Sequence, residues 1–223
     1  MTYILHIESA TKVCSVALSK NGKLVSLKEN QEDGFSHGEN LTLFIEEVLG
    51  KENIKPNQLS AVSVASGPGS YTGLRIGVSC AKGLCYALNI PLIAIDALTS
   101  LKEIAKSKHS NINLCPLIDA RRMEVYASIF NSKDELIKPI SADILDENSY
   151  SEFEPFAYFG DGAEKLADIW KTRNCNADLT IHSSAIGQVD LAFQKFTNKE
   201  FEDVAYFEPY YLKDFIINAP KKA

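Results

Sequence analysis

The chain has 223 residues, 45% hydrophobic and 23% charged, an ordinary globular composition with room for one large domain or two small ones. Its formal net charge of −6 excludes a protein that grips nucleic acid alone through a dominant basic face. The five cysteines are scattered with no C-x-x-C pair, which excludes a zinc knuckle or dithiol motif; Cys14 and Cys115 sit in apolar runs and read as buried structural thiols.

Met1-Thr2-Tyr3-Ile4-Leu5-His6 has no basic start and no long apolar run, so it reads as a first strand rather than a signal peptide. No stretch approaches the length of a membrane span, and together these features place the chain in the cytoplasm. Tyr3 to Ser9, Val13 to Ser19 and Lys23 to Glu29 are expected to form three antiparallel strands. Asn21-Gly22 joins the last two, because both residues tolerate positive φ.

Ser36-His37-Gly38-Glu39 carries the spacing of a capping box. Leu41, Phe44, Ile45, Val48 and Leu49 then follow at helical spacing. Lys55-Pro56-Asn57 breaks the chain, and Ala61 to Ser66 is a buried-strand candidate. A glycine-rich turn leads into a helix from about Tyr71 to Leu88; Asn89-Ile90-Pro91 stops it, and Leu92 to Ile95 is another strand. This order matches an actin-like or ribonuclease H-like half-domain.

The second half echoes the theme. Asn113 to Asp119 and Glu124 to Phe130 flank the turn Ala120-Arg121-Arg122-Met123 and are expected to pair. The polar region from Lys133 to Glu154 reads as loops. Phe156 to Phe159 is a strand ended by Gly160-Asp161-Gly162, with helices expected over Ala163 to Lys171 and Ser184 to Phe196. The echo implies internal duplication. The division is a first subdomain over 1–100 and a smaller second one over 101–223, whose tail can return to the first.

Gly67, Gly69 and Ser70 lie between a strand and a helix, where glycine permits close approach and the helix N-terminus favours anions. That reading admits a nucleotide or anion site, with Glu8 as a nearby carboxylate; the plainer one is a cap supplied by Ser70 or Thr72. No Gly-Lys-Ser/Thr follows, so this is no Walker loop, and the glycine spacing is not that of a dinucleotide fingerprint. Gly69, Gly73, Gly77 and Ala81 recur every four residues, a stripe suited to close packing, either on the chain's own sheet or across a subunit interface. Glu8 and Asp119 could form an acid–base pair across a cleft, or could simply cap their own turns. Gly-x-Ser-x-Gly is absent, which leaves a peptidase without a nucleophile.

The segment Gly67-Pro68-Gly69-Ser70-Tyr71-Thr72-Gly73-Leu74-Arg75-Ile76-Gly77 closely resembles the signature of the TsaB (YeaZ) family of bacterial tRNA threonylcarbamoyladenosine biosynthesis subunits. Ile4 to Ser9, Cys14 to Leu18, the helix to Leu49, Ile118 to Tyr126 and Pro209 to Lys213 resemble it as well. The resemblance implies an α/β actin-like (sugar kinase–Hsp70–actin) fold in two subdomains. It implies a subunit without its own active site or cofactor, with ATP and Mg2+ used by its partners. Those partners are a TsaD-like catalytic subunit and a TsaE-like ATPase, with a homodimer when alone and indirect or weak contact with tRNA.

Pairing runs through the first two helices, so the interface residues expected here are His37, Leu41, Phe44, Ile45 and Val48, and Tyr71, Gly73, Leu74, Gly77, Val78 and Ala81. TsaD-like relatives carry two histidines four apart, which align with Ala97 and Leu101; neither can bind metal. The four histidines, His6, His37, His109 and His182, have no metal-ligand spacing. Most family members have an aspartate where this chain has Glu8. The alternative reading is a stand-alone actin-like ATPase or small kinase built on the glycine turn with Glu8 and Asp119.

Overall fold

A computed structural model describes residues 1–30 and 37–213, with the side chain of His37 left out. The Ser36 cap and Lys221-Lys222 lie outside the described residues. Strands β1 (Tyr3–Glu8), β2 (Cys14–Lys20) and β3 (Lys23–Asn30) form the antiparallel run, turned at Asn21 and Gly22 with φ of 48° and 76°. Helix α1 (His37–Lys51) leads to β4 (Ala61–Gly67), α2 (Tyr71–Leu88) and β5 (Leu92–Asp96). The first sheet has the order β3-β2-β1-β4-β5, with β4 parallel to β1 and β5 parallel to β4.

Helix α3 (Ala97–Lys106) then crosses to the second half, which is built from β6 (Asn113–Asp119), β7 (Glu124–Phe130), β8 (Leu136–Ile144), β9 (Phe156–Phe159) and β10 (Cys175–Asp178). Read from β8, the second sheet runs β8-β7-β6-β9-β10, three antiparallel strands followed by two parallel additions. That is the order of the first sheet, repeated. Helix α4 (Val189–Asn198) returns to the first sheet.

Strand alternation sorts the core. Leu5, Ile7, Val62 and Val64 pack under α1 and α2, while Ile4, Ala61, Ile93 and Ile95 face α4. Leu98, Leu101 and Ala105 of α3 pack on Leu114, Ile118 and Phe159 of the second sheet. Trp170 closes that sheet's far side against Phe156 and Tyr158, its indole N–H donating to the Asp146 carbonyl at 2.8 Å.

Four local readings are corrected. β8 lies in the region read as loops; it is an edge strand bonded only to β7, so its sequence stays polar. The helix expected over Ala163 to Lys171 is a short 3-10 turn at Ala163–Leu166 with no side-chain cap, followed by turns that bury Trp170. The helix expected from Ser184 opens as a 3-10 turn, where Ser184 Oγ accepts from Ile186 N at 3.3 Å, and becomes α-helical only at Val189. Helix α3 and strand β10 were not read from the sequence, although Asp96 caps α3 by accepting from Thr99 N at 2.7 Å.

Candidate functional site

The two sheets face a cleft of about 590 Å³. Its walls are the β1–β2 turn at Ala10 to Lys12, the turn into α2 at Gly69 to Tyr71, the β6–β7 turn at Ala120 to Arg122, and the C-terminal segment Tyr210 to Lys213.

The glycine turn is a junction of the chain with itself. Gly67 has φ 107°, and a Cβ there would stand 2.6 Å from the Tyr210 carbonyl oxygen. A Cβ on Gly69 would stand 2.2 Å from the Ala10 carbonyl oxygen, which accepts from Ser70 N at 2.6 Å. The Ser70 hydroxyl caps α2, accepting from Gly73 N at 3.3 Å. The first hairpin and the C-terminal segment therefore pack directly against this turn, while Gly69 and Ser70 stand on the cleft wall.

Glu8 is 1% exposed and does not line the cleft. Its Oε1 accepts from Ala10 N at 2.8 Å and its Oε2 from Gln188 Nε2 at 3.3 Å. Gln188 Nε2 also donates to the Ile7 carbonyl, so its Oε1 is left to accept from Ser63 Oγ at 2.8 Å. Ser63 gives its proton there and must accept from His6 Nδ1 at 2.7 Å; His6 Nε2 then accepts from Ser19 Oγ at 2.8 Å. Burial pushes the Glu8 carboxyl up to about 7 and the His6 imidazole down to about 3. Asp119 sits on the cleft wall, where its Oδ1 accepts from Arg121 N at 2.5 Å and pairs with Lys165 at 2.6 Å. Glu8 and Asp119 thus each satisfy their own turn, and the acid–base pair across the cleft is not formed.

The first two helices also differ from expectation. Leu41, Phe44, Ile45, Val48, Val78 and Ala81 are buried in the cluster under the first sheet, and Leu74 in the cluster around α3. Gly73 and Gly77 are buried too, and a Cβ on Gly77 would meet Ser9 Oγ at 2.1 Å. That overturns these residues as surface contacts. The outward face is carried instead by Leu43, 59% exposed, on α1, with Ile76, Cys80, Gly83 and Ala87 on α2. The side chain of His37 is outside the described residues.

Tyr71 and Arg75 face the C-terminal segment. The Tyr71 and Tyr211 rings lie 4.6 Å apart, and the Arg75 guanidinium stacks over Tyr71 at 4.0 Å. Lys82 donates to the carbonyls of Ala205 and Phe207, Tyr210 N to Ser66 O at 2.7 Å, and Lys213 pairs with Glu124. The segment therefore straps both halves together along one flank of α2.

Ala97 and Leu101 lie one turn apart on α3, 2% and 1% exposed in an apolar cluster. Among the described residues, no three His, Cys, Asp or Glu side chains group to hold a metal, and no helix is long and apolar enough to cross a membrane.

The family model described as "TsaD: tRNA N6-adenosine threonylcarbamoyltransferase" matches residues 33–217. The chain belongs to this family. Within it, similar curated relatives carry the TsaB name, and others are named tRNA N6-adenosine threonylcarbamoyltransferase, as in Bacillus subtilis at 33% identity over 108 residues, 42% of this chain and 31% of that protein. The chain is 34% identical over 125 residues to the tRNA threonylcarbamoyladenosine biosynthesis protein TsaB of Haemophilus influenzae, covering 56% of this chain and 52% of that protein. It is 32% identical over 145 residues to the TsaB of Bacillus subtilis, covering 63% and 60%. The chain thus spans between half and two thirds of the length of these relatives. A solved structure titled "YeaZ from Pseudomonas aeruginosa" superposes with a TM-score of 0.79 over 95% of this chain and 100% of that one, at 23% identity, which establishes the shared fold. The TsaB and YeaZ names agree with the resemblance read from the glycine segment.

Sequence reasoning did not select Lys12, Arg121 and Arg122, which line the cleft. The signal was present as an arginine pair in the turn Ala120 to Met123, where asparagine and glycine are the more usual choices.

Proposed function

We propose that this chain is a non-catalytic partner subunit for threonylcarbamoyl transfer to tRNA adenosine, acting in the cytoplasm with a TsaD-like catalytic subunit and a TsaE-like ATPase. The observation that carries the reading is the buried apolar pair Ala97 and Leu101 on α3, the positions where the family resemblance implies two histidines in transferase-type relatives. An apolar cluster at that position leaves no first ligand for a metal. The carboxylates lining the cleft, Asp119, Glu124 and Asp161, are engaged in ion pairs or backbone hydrogen bonds, so the stand-alone ATPase gains no support.

The match to a model built on the transferase supports a partner with the same fold. Such a partner would offer the corresponding two helices, and the two pairs would pack face to face about a pseudo-two-fold axis. Here that face would be Leu43 of α1 with Ile76, Cys80, Gly83 and Ala87 of α2. Gly83 is open, with nothing within 4 Å of an added Cβ, so a partner's backbone can come close. A second copy of this chain would pair in the same way when no transferase subunit is present.

The test is a reconstitution with a transferase subunit and ATPase, reading modified adenosine in tRNA. Omitting this chain should abolish product, and the chain alone should make none. Unchanged product on omission would overturn the proposal.

A further inference from the structure

The fold contains two hairpins with two residues in the left-handed region at the turn, and it fills them in opposite ways. Between β2 and β3 the residues are Asn21 and Gly22, with φ of 48° and 76°. Between β6 and β7 they are Arg121 and Arg122, with φ of 70° and 53°. Asparagine and glycine adopt this conformation readily; arginine adopts it only when its surroundings impose it. The second turn is a longer loop, Ala120 to Met123, closed within the hairpin by Asp119 Oδ1 accepting from Arg121 N and by Ala120 N donating to Glu124 O at 3.1 Å. Folding alone would favour residues that tolerate positive φ at 121 and 122. The arginines of the second turn stand on the cleft wall.

The cleft's charges are unevenly spent. Asp119 is paired with Lys165, Glu124 with Lys213, and Asp161 accepts from Asp119 N at 3.0 Å. Lys12, Arg121 and Arg122 are exposed and, among the described residues, have no carboxylate partner within ion-pair distance. Three free cations thus ring one cavity in a chain whose net charge is −6. Tyr71, Tyr126, Tyr210 and Tyr211 line the same cavity. A magnesium nucleotide would need free carboxylates for its metal, and those present are already bound to cations or backbone. What remains is a site for a metal-free phosphate beside aromatic faces, the combination that holds single-stranded nucleic acid.

We infer that the cleft seats a short single-stranded RNA segment, with Arg121, Arg122 and Lys12 on its phosphodiester oxygens and Tyr126 and Tyr210 against its bases. The choice of RNA rests on the proposed role in tRNA modification; the site itself rests on the turn and the charges. Three phosphate contacts make a weak site, which agrees with a subunit that does not hold tRNA by itself.

The test is binding of a tRNA transcript to the full chain by fluorescence anisotropy, from about 50 to 200 mM salt. The double variant R121N/R122G puts residues that tolerate the left-handed region at the two positive-φ positions, so it should fold with an equal or higher melting temperature. Affinity should fall at least about tenfold, and the slope of log K against log salt should shrink by about 1.4, the loss of two single-strand phosphate contacts. Should that variant fail to fold, Lys12→Met reads the same effect through one contact, with a slope change of about 0.7. A folded variant with unchanged affinity and slope overturns the inference. So does equally tight, Arg121- and Arg122-dependent binding of ATP or inorganic phosphate, which would make the ligand a free anion. Loss of RNA binding alongside a chain dispensable in the modification assay would overturn only the proposed function. Normal modification with Arg-independent RNA binding would overturn only this inference.

Discussion

The hydroxyl oxygen of Ser9 lies 2.1 Å from the point where a Cβ on Gly77 would stand. Helix α2 thus carries glycine at this position to sit on the end of β1, and the four-residue glycine row serves the chain's own sheet. Gly83, on the other side of the same helix, has no such neighbour. The two glycines should therefore respond oppositely to one added methyl. Gly77→Ala should destabilise the fold by about 1–3 kcal/mol through overpacking. Gly83→Ala should stabilise it by up to about 1 kcal/mol through helix propensity. Urea unfolding of both variants decides this, and equal effects would contradict the packing described.

The outward face of α1 and α2 should control association without touching the core. Gly83→Arg or Ala87→Arg should leave the unfolding midpoint within about 0.5 kcal/mol of the parent, as surface changes do. Either should shift sedimentation toward the monomer and weaken capture of a transferase subunit. Leu41→Ala, by contrast, should unfold the chain by about 2–5 kcal/mol, because Leu41 is 2% exposed in the core.

Gln188 joins the second half of the chain to the first sheet at three points: Ser63 Oγ, Ile7 O and Glu8 Oε2. Gln188→Ala should leave those buried groups short of partners and cost about 2–4 kcal/mol. Gln188→Glu should be worse, since the carboxylate would face Glu8 and lose both donors. Thermal unfolding of the two variants tests the order.

Two buried groups at the floor of the first sheet oppose each other in pH. The Glu8 carboxyl is raised from 4.5 to about 7, so its contribution is full below 4.5 and is lost as pH rises through 7. The His6 imidazole is lowered from 6.5 to about 3, so its contribution is full above 6.5 and is lost as pH falls through 3. Asp96 also faces Glu8 and helps to raise it. Between pH 4.5 and 6.5 the two trends cancel in part. Glu8→Gln should remove the falling limb, so the variant's stability should rise with pH across this window and exceed the parent's trend by about 3 kcal/mol toward pH 7 and above. Parallel curves for parent and variant from pH 4.5 to 8 would contradict it.

Gly67 has φ 107° and faces the Tyr210 carbonyl, so Gly67→Ala is strained and displaces the strap. The bond from Tyr210 N to Ser66 O should open, read as faster amide exchange at Tyr210 and earlier proteolysis around Pro209. Unchanged protection at Tyr210 would show that the strap is held elsewhere.

Alternating apolar residues, the Asn21-Gly22 turn, the apolar stripe of α1 and the glycine signature were all legible in order along the chain, because each is a local pattern with a period or a fixed spacing. They determined the α/β class, the first sheet's elements and the family. Edge strand β8 was not legible, since a strand covered on one side only needs little hydrophobic pattern. Which way a helix faces was not legible either. Leu41, Phe44 and Gly77 have the spacing of an interface and of a core alike, and only the neighbouring sheet decides between them. Distance along the chain hid the rest. The strap at Tyr210 fills the glycine turn at Gly67, Gln188 ties Ser63 to Glu8, and the carboxylates that the sequence offered for catalysis close their own turns. What the tertiary structure alone decided is that Lys12 and the Arg121–Arg122 turn, far apart in sequence, stand around one cleft without a carboxylate partner among the described residues.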